Sequence, residues 1–227
     1  MGVRLWVGLG NPGPRHAGNR HNVGFMALDR IAADHGIGPF RGKFQGEVAE
    51  GRIGSDRLML LKPATYMNLS GQSVGEAMRF LKLEPKDVTV FHDELDLAPG
   101  KVRLKAGGGH AGHNGLRSIH QHLGDAYGRV RIGIGHPGHK DRVSSYVLAD
   151  FAKAEAEMLD DLLRGISDGA PRLAAGDGPG FLNAVALRTQ PQREGGRDAP
   201  RAAAPPEPAA EAERALSPLQ RLAARFR

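Results

Sequence analysis

The sequence contains no cysteine among its 227 residues, which excludes disulfide bonds, thiolate metal sites and a cysteine nucleophile. It also has no run of 18 apolar residues, so no membrane-spanning helix is expected. The N-terminus leads directly into a predicted strand and shows no signal-peptide pattern. From these absences we expect a soluble, cytoplasmic protein.

Negative charge is in the minority, since 25 acidic residues stand against 31 lysines and arginines, giving a net charge of +6. This balance favours a polyanionic partner such as nucleic acid or an anionic membrane surface, and it also fits a basic surface without a specific partner. Hydrophobic residues make up 40% of the chain and charged residues 25%, as is usual for globular proteins. The length suits one domain with a sizeable core.

Short apolar runs alternate with helical patterns along residues 1–188. Strands are predicted near 3–7, 47–53, 58–61, 88–91, 101–105 and 129–135, and helices near 21–36, 70–82, 116–123, 153–165 and 179–187. The runs at 47–53 and 58–61 are spaced as a hairpin, and residues 136–146 are predicted to form a mobile loop. The pattern predicts a single-domain α/β fold, a three-layer sandwich with a mixed, mostly parallel twisted sheet flanked by helices.

The composition changes near residue 189. Residues 189–227 are rich in proline, alanine and arginine, a composition that buries too little apolar surface to fold alone. We therefore predict one domain over residues 1–188, followed by a disordered C-terminal extension.

The segment from Gly8 to Gly13 has the letters of the Gly-x-Gly-x-x-Gly dinucleotide fingerprint and follows a predicted strand. That fingerprint requires a helix that starts within the glycine turn, so that its amides meet the pyrophosphate. Here Pro12 and Pro14 interrupt the turn, and the helical pattern starts only near His21. We expect no nicotinamide or flavin cofactor.

His21 stands where that first helix begins, so the positive end of the helix dipole should favour a neutral imidazole, which a general base requires. Asp93 follows a predicted buried strand and is the best-placed carboxylate partner, because ligand sites gather at the carboxyl ends of parallel strands. A helix-capping role for His21 fits its position equally well.

Three asparagines, Asn11, Asn68 and Asn114, lie in loops next to predicted strands or helices. Neutral amides can hold a water or an oxyanion without a large effect on the pKa of a neighbouring base. Asparagine is also a common turn residue, so each one alone has a structural explanation. Convergence of the three loops would make a site.

A metal site is a second possibility, because His110 and His113 lie close together in a glycine run and His92 precedes Asp93. The two histidines are not on a predicted helix face, and no pattern fixes a third ligand. We therefore predict no metal and keep a metallohydrolase as an alternative.

Two predicted strands flanking the glycine run carry four cations, Arg103, Lys105, Arg129 and Arg131. Arginine makes bidentate contacts to phosphate, so a polyanion would dock here. A solvated strand face explains the same alternation.

Six motifs in series resemble the bacterial-type peptidyl-tRNA hydrolase family. They are Val-Gly-Leu-Gly-Asn-Pro-Gly (7–13), Arg-His-Asn (20–22), Tyr-Met-Asn-Leu-Ser-Gly (66–71), His-Asp-Glu-Leu-Asp-Leu (92–97), Gly-Gly-Gly-His-Ala-Gly-His-Asn-Gly-Leu (107–116) and Arg-Ile-Gly-Ile-Gly-His-Pro (131–137). The match covers about residues 1–188 in the family's order and spacing. It implies a monomeric, metal-independent enzyme without a cofactor that cleaves the ester between a nascent peptide and the 3′-terminal ribose of tRNA.

The resemblance also implies roles for individual residues. His21 matches the base that activates water, Asp93 the carboxylate that stabilises its working form, and Asn11 the position that separates N-blocked from free aminoacyl-tRNA. Positions that match contacts to the tRNA 3′ end or the peptide are His16, Tyr66, Met67, Asn68, His113 and Asn114. The positions that match the clamp for the tRNA 5′-phosphate region are Lys105 and Arg131, with Arg103 beside them.

Two residues of the first motif depart from the family pattern. His16 stands where the family usually has tyrosine, and Asn19 where it has threonine. An imidazole can still stack and donate a hydrogen bond, and we expect Asn19 to cap the helix as threonine would. A tRNA-binding protein without catalytic activity is a further alternative, although the presence of His21 and Asp93 argues against it.

Overall fold

The computed structural model describes residues 2–190. Seven strands and six helices follow one another along the chain, with short 3₁₀ turns between some of them. The strands are β1 (Val3–Gly8), β2 (Arg41–Lys43), β3 (Gly46–Ile53), β4 (Asp56–Pro63), β5 (Val88–Glu94), β6 (Val102–Ala106) and β7 (Gly128–Gly133). The helices are α1 (Val23–His35), α2 (Ser70–Leu81), α3 (Asn114–Leu123), α4 (Val143–Val147), α5 (Ala156–Ala174) and α6 (Gly178–Thr189).

All seven strands form one sheet in the order β2-β3-β4-β1-β5-β7-β6. The four central strands β4, β1, β5 and β7 are parallel, and antiparallel pairs lie at both edges. The predicted hairpin is the β3–β4 pair. The predicted α/β class with a mixed sheet and flanking helices is confirmed.

Each face of the sheet packs against its own group of helices. On β1, Trp6 packs on the face covered by α1, α5 and α6, whereas its neighbours Leu5 and Val7 pack on the face covered by α2 and α3. All three side chains are at most 1% exposed. A strand buried on both faces reads as a continuous apolar run, which is why β1 was recognisable in the sequence.

Two predictions about the C-terminal half were wrong. Residues 136–146 do not form only a loop, because a 3₁₀ turn at Lys140–Arg142 leads into α4. Helix α5 continues to Ala174 rather than ending near residue 165. Its glycines look like helix breakers in the sequence, but they allow α6 to approach closely: a Cβ on Gly165 would lie 2.9 Å from the Cα of Val185.

The short edge strand β2 was not predicted, because its three residues are all exposed and carry no apolar pattern. No helix within residues 2–190 is long and apolar enough to cross a membrane. Helix α6 ends at Thr189, and the predicted extension lies outside the described residues from position 191 onward.

Candidate active site

The segment that carries His21 packs closely against the residue that follows β1 and against the middle of β5. A Cβ on Gly24, the second residue of α1, would lie 2.3 Å from the backbone oxygen of Phe91 and 2.5 Å from the amide nitrogen of Leu9. Only glycine allows this approach. The turn from Gly8 to Gly13 does not itself open a helix, because a 3₁₀ turn at Pro14–His16 and another at Arg20–Asn22 precede α1. The geometry that a dinucleotide fingerprint needs is therefore missing here.

His21 and Asp93 form a buried pair. The Nδ1 of His21 lies 2.8 Å from the Oδ1 of Asp93, which is the penultimate residue of β5. A carboxylate can only accept, so Nδ1 carries the proton and donates it to Asp93. This tautomer leaves a lone pair on Nε2, the nitrogen that a general base uses. The partnership expected from the sequence is present in the structure.

His113 contacts the same carboxylate oxygen. Its Nε2 lies 3.0 Å from Asp93 Oδ1, and its Nδ1 accepts hydrogen bonds from the backbone amides of Gly115 and Leu116 at the start of α3. Because Nδ1 accepts, Nε2 carries the proton and donates it to Asp93. The His113 ring lies 4.9 Å from the His21 ring, centroid to centroid. His113 therefore uses one ring nitrogen to bond to Asp93 and the other to bond to the first amides of α3.

Burial and charge act in opposite directions on this group. Burial lowers the pKa of His21, but the charge of Asp93 and its hydrogen bond outweigh burial, so the pKa is raised above its ordinary value. Burial alone would raise the pKa of Asp93, and the two histidines hold that pKa well below its usual range. The helix dipole was expected to favour the neutral imidazole, and the nearer Asp93 charge overrides it.

His92 lies directly behind this pair and is 1% exposed. Its Nδ1 donates to the backbone oxygen of Asp93 over 2.8 Å, and its ring meets the His113 ring edge-on at 85°. Burial and the neighbouring His113 lower the pKa of His92 to about 3. His92 is therefore neutral at physiological pH and does not compete with His21 for the Asp93 charge.

Asn11 is held by two neighbours. Its backbone amide donates to the side chain of Asn22, whose amide group donates back to the Asn11 backbone oxygen, both over 2.9 Å. The Asn11 side-chain oxygen accepts the Met67 backbone amide over 3.0 Å. This leaves the Nδ2 amide group to meet a ligand. Sequence reasoning missed the role of Asn22, although its place in the Arg-His-Asn motif was a signal.

The three asparagine loops meet around Met67. The Asn11 loop binds its backbone, and a Cβ on Gly115, next to Asn114, would lie 2.6 Å from the Met67 Sδ. Met67 is 5% exposed and packs in the core, so its backbone rather than its side chain faces Asn11. Asn68 and Asn114 are exposed, as is Tyr66. The three loops therefore lie next to one another, which is the arrangement that a shared site requires.

A cavity of about 590 Å³ lies beside the His21–Asp93 pair. The predicted site residues that line it are His21, Asp93, Lys105, His113, Asn114 and Arg131. One wall is formed by α4 through Val143, Ser144 and Val147. Asn11 lines a second groove of about 280 Å³ that also contains Phe25 and Lys62. His16, Tyr66, Met67, Asn68 and Arg103 line neither space.

His16 is half-buried and directed at its own segment. Its Nδ1 lies 3.0 Å from the Oδ1 of Asn19, and the Nδ2 of Asn19 donates to Asp150 over 2.7 Å. The capping role expected for Asn19 was wrong, because its side chain makes no cap bond to the 3₁₀ turn that follows. Its amide instead links His16 to the connection after α4.

The four cations near the glycine run divide into three groups. Cross-strand pairing places Arg103 opposite Arg131 and Lys105 opposite Arg129 on one face of the sheet. Arg103 and Lys105 are exposed, and Arg131 forms an ion pair with Glu94 over 2.7 Å.

Arg129 differs from the other three cations because it is buried. It is 3% exposed, and its guanidinium donates to the backbone oxygens of Gly107, Gly108 and Gly109. The prediction that Arg129 contributes to a surface for docking a polyanion was therefore wrong. Arg129 holds the glycine run that leads to His113.

The metal alternative built on His110 and His113 is not supported by the geometry. His110 Nδ1 accepts the Gly112 amide, and its ring packs against His120 at 5.6 Å. A possible metal group within residues 2–190 is instead His21, Asp93 and His113, whose ligand atoms lie within 4.8 Å of one another. Those atoms are hydrogen-bonded to one another, and both ring nitrogens of His113 are already used. A metal there would have to replace these bonds.

A parallel-centred α/β sheet with a buried histidine–carboxylate pair at its carboxyl edge, beside amide-bearing loops, defines the class of the protein: an α/β protein whose site is suited to general-base chemistry. The family model described as "Peptidyl-tRNA hydrolase" matches residues 5–192. The chain belongs to this family.

Curated relatives are similar in sequence over most or nearly all of the chain. It is 68% identical over 235 residues to the peptidyl-tRNA hydrolase of Dinoroseobacter shibae, covering 99% of this chain and 100% of the relative. It is 70% identical over 210 residues to that of Paracoccus denitrificans, covering 92% and 89%.

A solved structure shows the same fold. The crystal structure of peptidyl-tRNA hydrolase from Acinetobacter baumannii matches with a TM-score of 0.76 at 43% identity, covering 81% of this chain and 94% of that one.

Proposed function

We propose that this protein hydrolyses the ester bond between the peptide and the tRNA of peptidyl-tRNA, with His21 as the general base. The observation that carries the proposal is the 2.8 Å contact from His21 Nδ1 to Asp93 Oδ1, which leaves Nε2 as the basic nitrogen beside the cavity. Family membership supplies the substrate class. The released tRNA becomes available for a new round of aminoacylation.

In the first step, His21 Nε2 takes a proton from a water molecule as the water oxygen attacks the ester carbonyl carbon. The imidazolium that forms is stabilised by the negative charge of Asp93 at its Nδ1 side. His113 donates to the same Asp93 oxygen and keeps the carboxylate oriented while the charge on His21 changes.

The tetrahedral intermediate carries its charge on the former carbonyl oxygen, and neutral amide donors can stabilise it. Asn68 and Asn114 are the exposed asparagines among the three loops that meet around Met67. When the intermediate collapses, the bond to the ribose oxygen breaks, and His21 returns its proton to that oxygen. An aminoacyl ester is activated, so this route needs no metal and no cofactor.

Asn11 is proposed to distinguish peptidyl-tRNA from free aminoacyl-tRNA. Its backbone and side-chain oxygens are already hydrogen-bonded, so its Nδ2 group remains to donate to a carbonyl oxygen. A peptide or N-acyl group has such a carbonyl next to the reacting residue, and a free α-amino group does not. The 280 Å³ groove beyond Asn11 offers space for the peptide.

Substrate binding is proposed to extend from the cavity along its basic edge. Lys105 and Arg131 line the cavity and would contact the 5′-phosphate region of the tRNA, with Arg103 beside them. His16, Tyr66, Met67, Asn68, His113 and Asn114 remain predicted contacts of the tRNA 3′ end or the peptide, of which the buried Met67 would act from behind the surface. We further propose a monomeric, cytoplasmic enzyme.

The test compares two substrates, N-acetyl-aminoacyl-tRNA and the matching free aminoacyl-tRNA, with the purified protein. Rapid release of tRNA from the first and slow release from the second are expected. Equal hydrolysis of both would contradict the role of Asn11, and no hydrolysis of either would contradict the enzymatic function. Salt-sensitive tRNA binding without cleavage would support the alternative of a non-catalytic tRNA-binding protein.

A further inference from the structure

Arg20 is a buried cation immediately before the base. Its side chain is only 10% exposed, and it forms an ion pair with Glu155 in which Nη2 and Oε2 are 2.6 Å apart. Its Nη1 donates to the backbone oxygen of Asp150 over 2.5 Å. Its guanidinium also lies over the rings of Tyr146 and Phe151, 4.6 and 5.2 Å from their centroids.

Every one of these partners belongs to the segment that runs from α4 to the start of α5. The backbone amide of Arg20 adds a bond to the Ala149 oxygen over 3.0 Å, and Asn19 pairs with Asp150 as an isolated β-bridge. Helix α4 forms one wall of the cavity, through Val147 among others. Arg20 therefore connects the His21 segment to the element that shapes the cavity.

Neighbouring residues in the same short turn hold different elements. Asn22 is bonded to the Asn11 loop, and His21 is bonded to β5 through Asp93. A 3₁₀ turn has few internal hydrogen bonds to maintain its shape, so these outside contacts set its position. Arg20 is the contact on the α4 side.

Arginine suits this place for a physical reason. A buried charge requires hydrogen-bonding partners around it, and the planar guanidinium reaches a carboxylate, a backbone oxygen and two aromatic faces at once. A lysine ammonium is a point charge without that fork, so it can keep the charge but not all of the contacts.

We propose that Arg20 is a positioning residue for the reaction, which sets the distance between His21 and Asp93 by anchoring the turn to the α4–α5 connection. The inference rests on the proposed function of His21. Arg20 contacts no substrate in this role. A general base displaced by about 1 Å loses on the order of a hundredfold in rate, so the loss of an anchor one residue away should lower the rate strongly.

The test uses Arg20→Lys and Glu155→Gln, with Arg30→Lys as the matched control. Arg30 pairs with a carboxylate of α5, Asp160 over 3.1 Å, and its side chain is 27% exposed, compared with 10% for Arg20. We expect kcat on N-acetyl-aminoacyl-tRNA to fall about tenfold to a hundredfold in Arg20→Lys and less in Glu155→Gln. KM should change little, and Arg30→Lys should match the unmodified protein.

Two further readouts separate positioning from folding. The acid limb of the pH–rate profile should move to lower pH in Arg20→Lys, because a His21 held less firmly against Asp93 loses part of the interaction that raises its pKa. In an Asp93→Asn background, Arg20→Lys should change kcat less than threefold, because the pair it positions is already broken.

The proposal would be overturned if the kcat losses of Arg20→Lys and Asp93→Asn multiplied in full in the double variant. It would also be overturned if Arg20→Lys lowered the melting temperature but left kcat and the pH profile of the folded fraction unchanged. Glu155→Gln carries the same test if Arg20→Lys does not fold. An unmodified protein that does not cleave the substrate would instead overturn the proposed function itself.

Discussion

The interior of the site and its basic edge are built in opposite ways. His21 and Asp93 are buried, and His113 is only slightly exposed. Both imidazoles bond to the same Asp93 oxygen, His21 over 2.8 Å and His113 over 3.0 Å. At the edge, Arg103 and Lys105 are exposed side chains on β6. The interior supplies one fixed geometry, whereas the edge supplies charge.

This difference predicts a separate role for each region. Bond cleavage requires a proton to move between atoms held at hydrogen-bonding distance, and only a packed interior maintains such distances. A nucleic acid backbone is a long row of phosphates, and mobile exposed cations are sufficient to attract it. Changes in the interior should therefore alter kcat, and changes at the edge should alter affinity and its dependence on salt.

The largest effect is expected for His21→Ala. Removing the base should lower kcat by about a hundredfold to ten-thousandfold, the usual contribution of a positioned general base. Single-turnover cleavage of N-acetyl-aminoacyl-tRNA measures it, and circular dichroism checks the fold. If a folded variant retains turnover, the base lies elsewhere and the contrast between interior and edge fails.

Asp93→Asn should follow, with a loss in kcat of about a hundredfold. The pH profile is the sharper measurement. Neutral His21 is the active form in the proposed mechanism, so kcat/KM should rise with pH through the His21 pKa, which Asp93 holds above its ordinary value. Without the carboxylate charge, burial remains and lowers that pKa, so the acid limb should move to lower pH. An unmoved limb would exclude His21 as the titrating group.

A matched pair on β6 tests the edge. Lys105 lines the cavity and Arg103, two residues away on the same strand face, does not. Lys105→Ala should raise KM by about threefold to tenfold and reduce the slope of log affinity against log salt by about 0.7 to 0.9, as for the loss of one phosphate contact. Arg103→Ala should raise KM less than Lys105→Ala does, because Arg103 lies beside the cavity and does not line it. Equal effects would show that the edge acts only through its total charge.

The smallest effect is expected for metal removal. Incubation with EDTA should leave kcat unchanged, because both nitrogens of His113 and the Nδ1 of His21 are committed to hydrogen bonds. Loss of activity in EDTA that zinc restores would favour the metallohydrolase alternative and would change the interior from a proton-transfer site to a metal centre.

Local patterns were enough to predict most of the fold. Apolar spacing and nearby turn residues predicted β1, the β3–β4 hairpin and α2. Where the sequence misled, a tertiary contact was responsible. The predicted helix ended near residue 165, yet Gly165 and Gly169 are the points where α6 packs closely on a continuous α5. Helix α4 was read as a loop for the same reason, since its stability depends on packing against distant residues.

The amino-acid sequence by itself determined the chemistry that is available: a histidine, a carboxylate and amides in loops, with no cysteine. Only the tertiary structure decided how these groups are used. It places His113 against Asp93 and Arg129 against glycine carbonyls. The physical reason is that a side chain's role depends on burial and on partners far away in the sequence, and no local pattern encodes either of them.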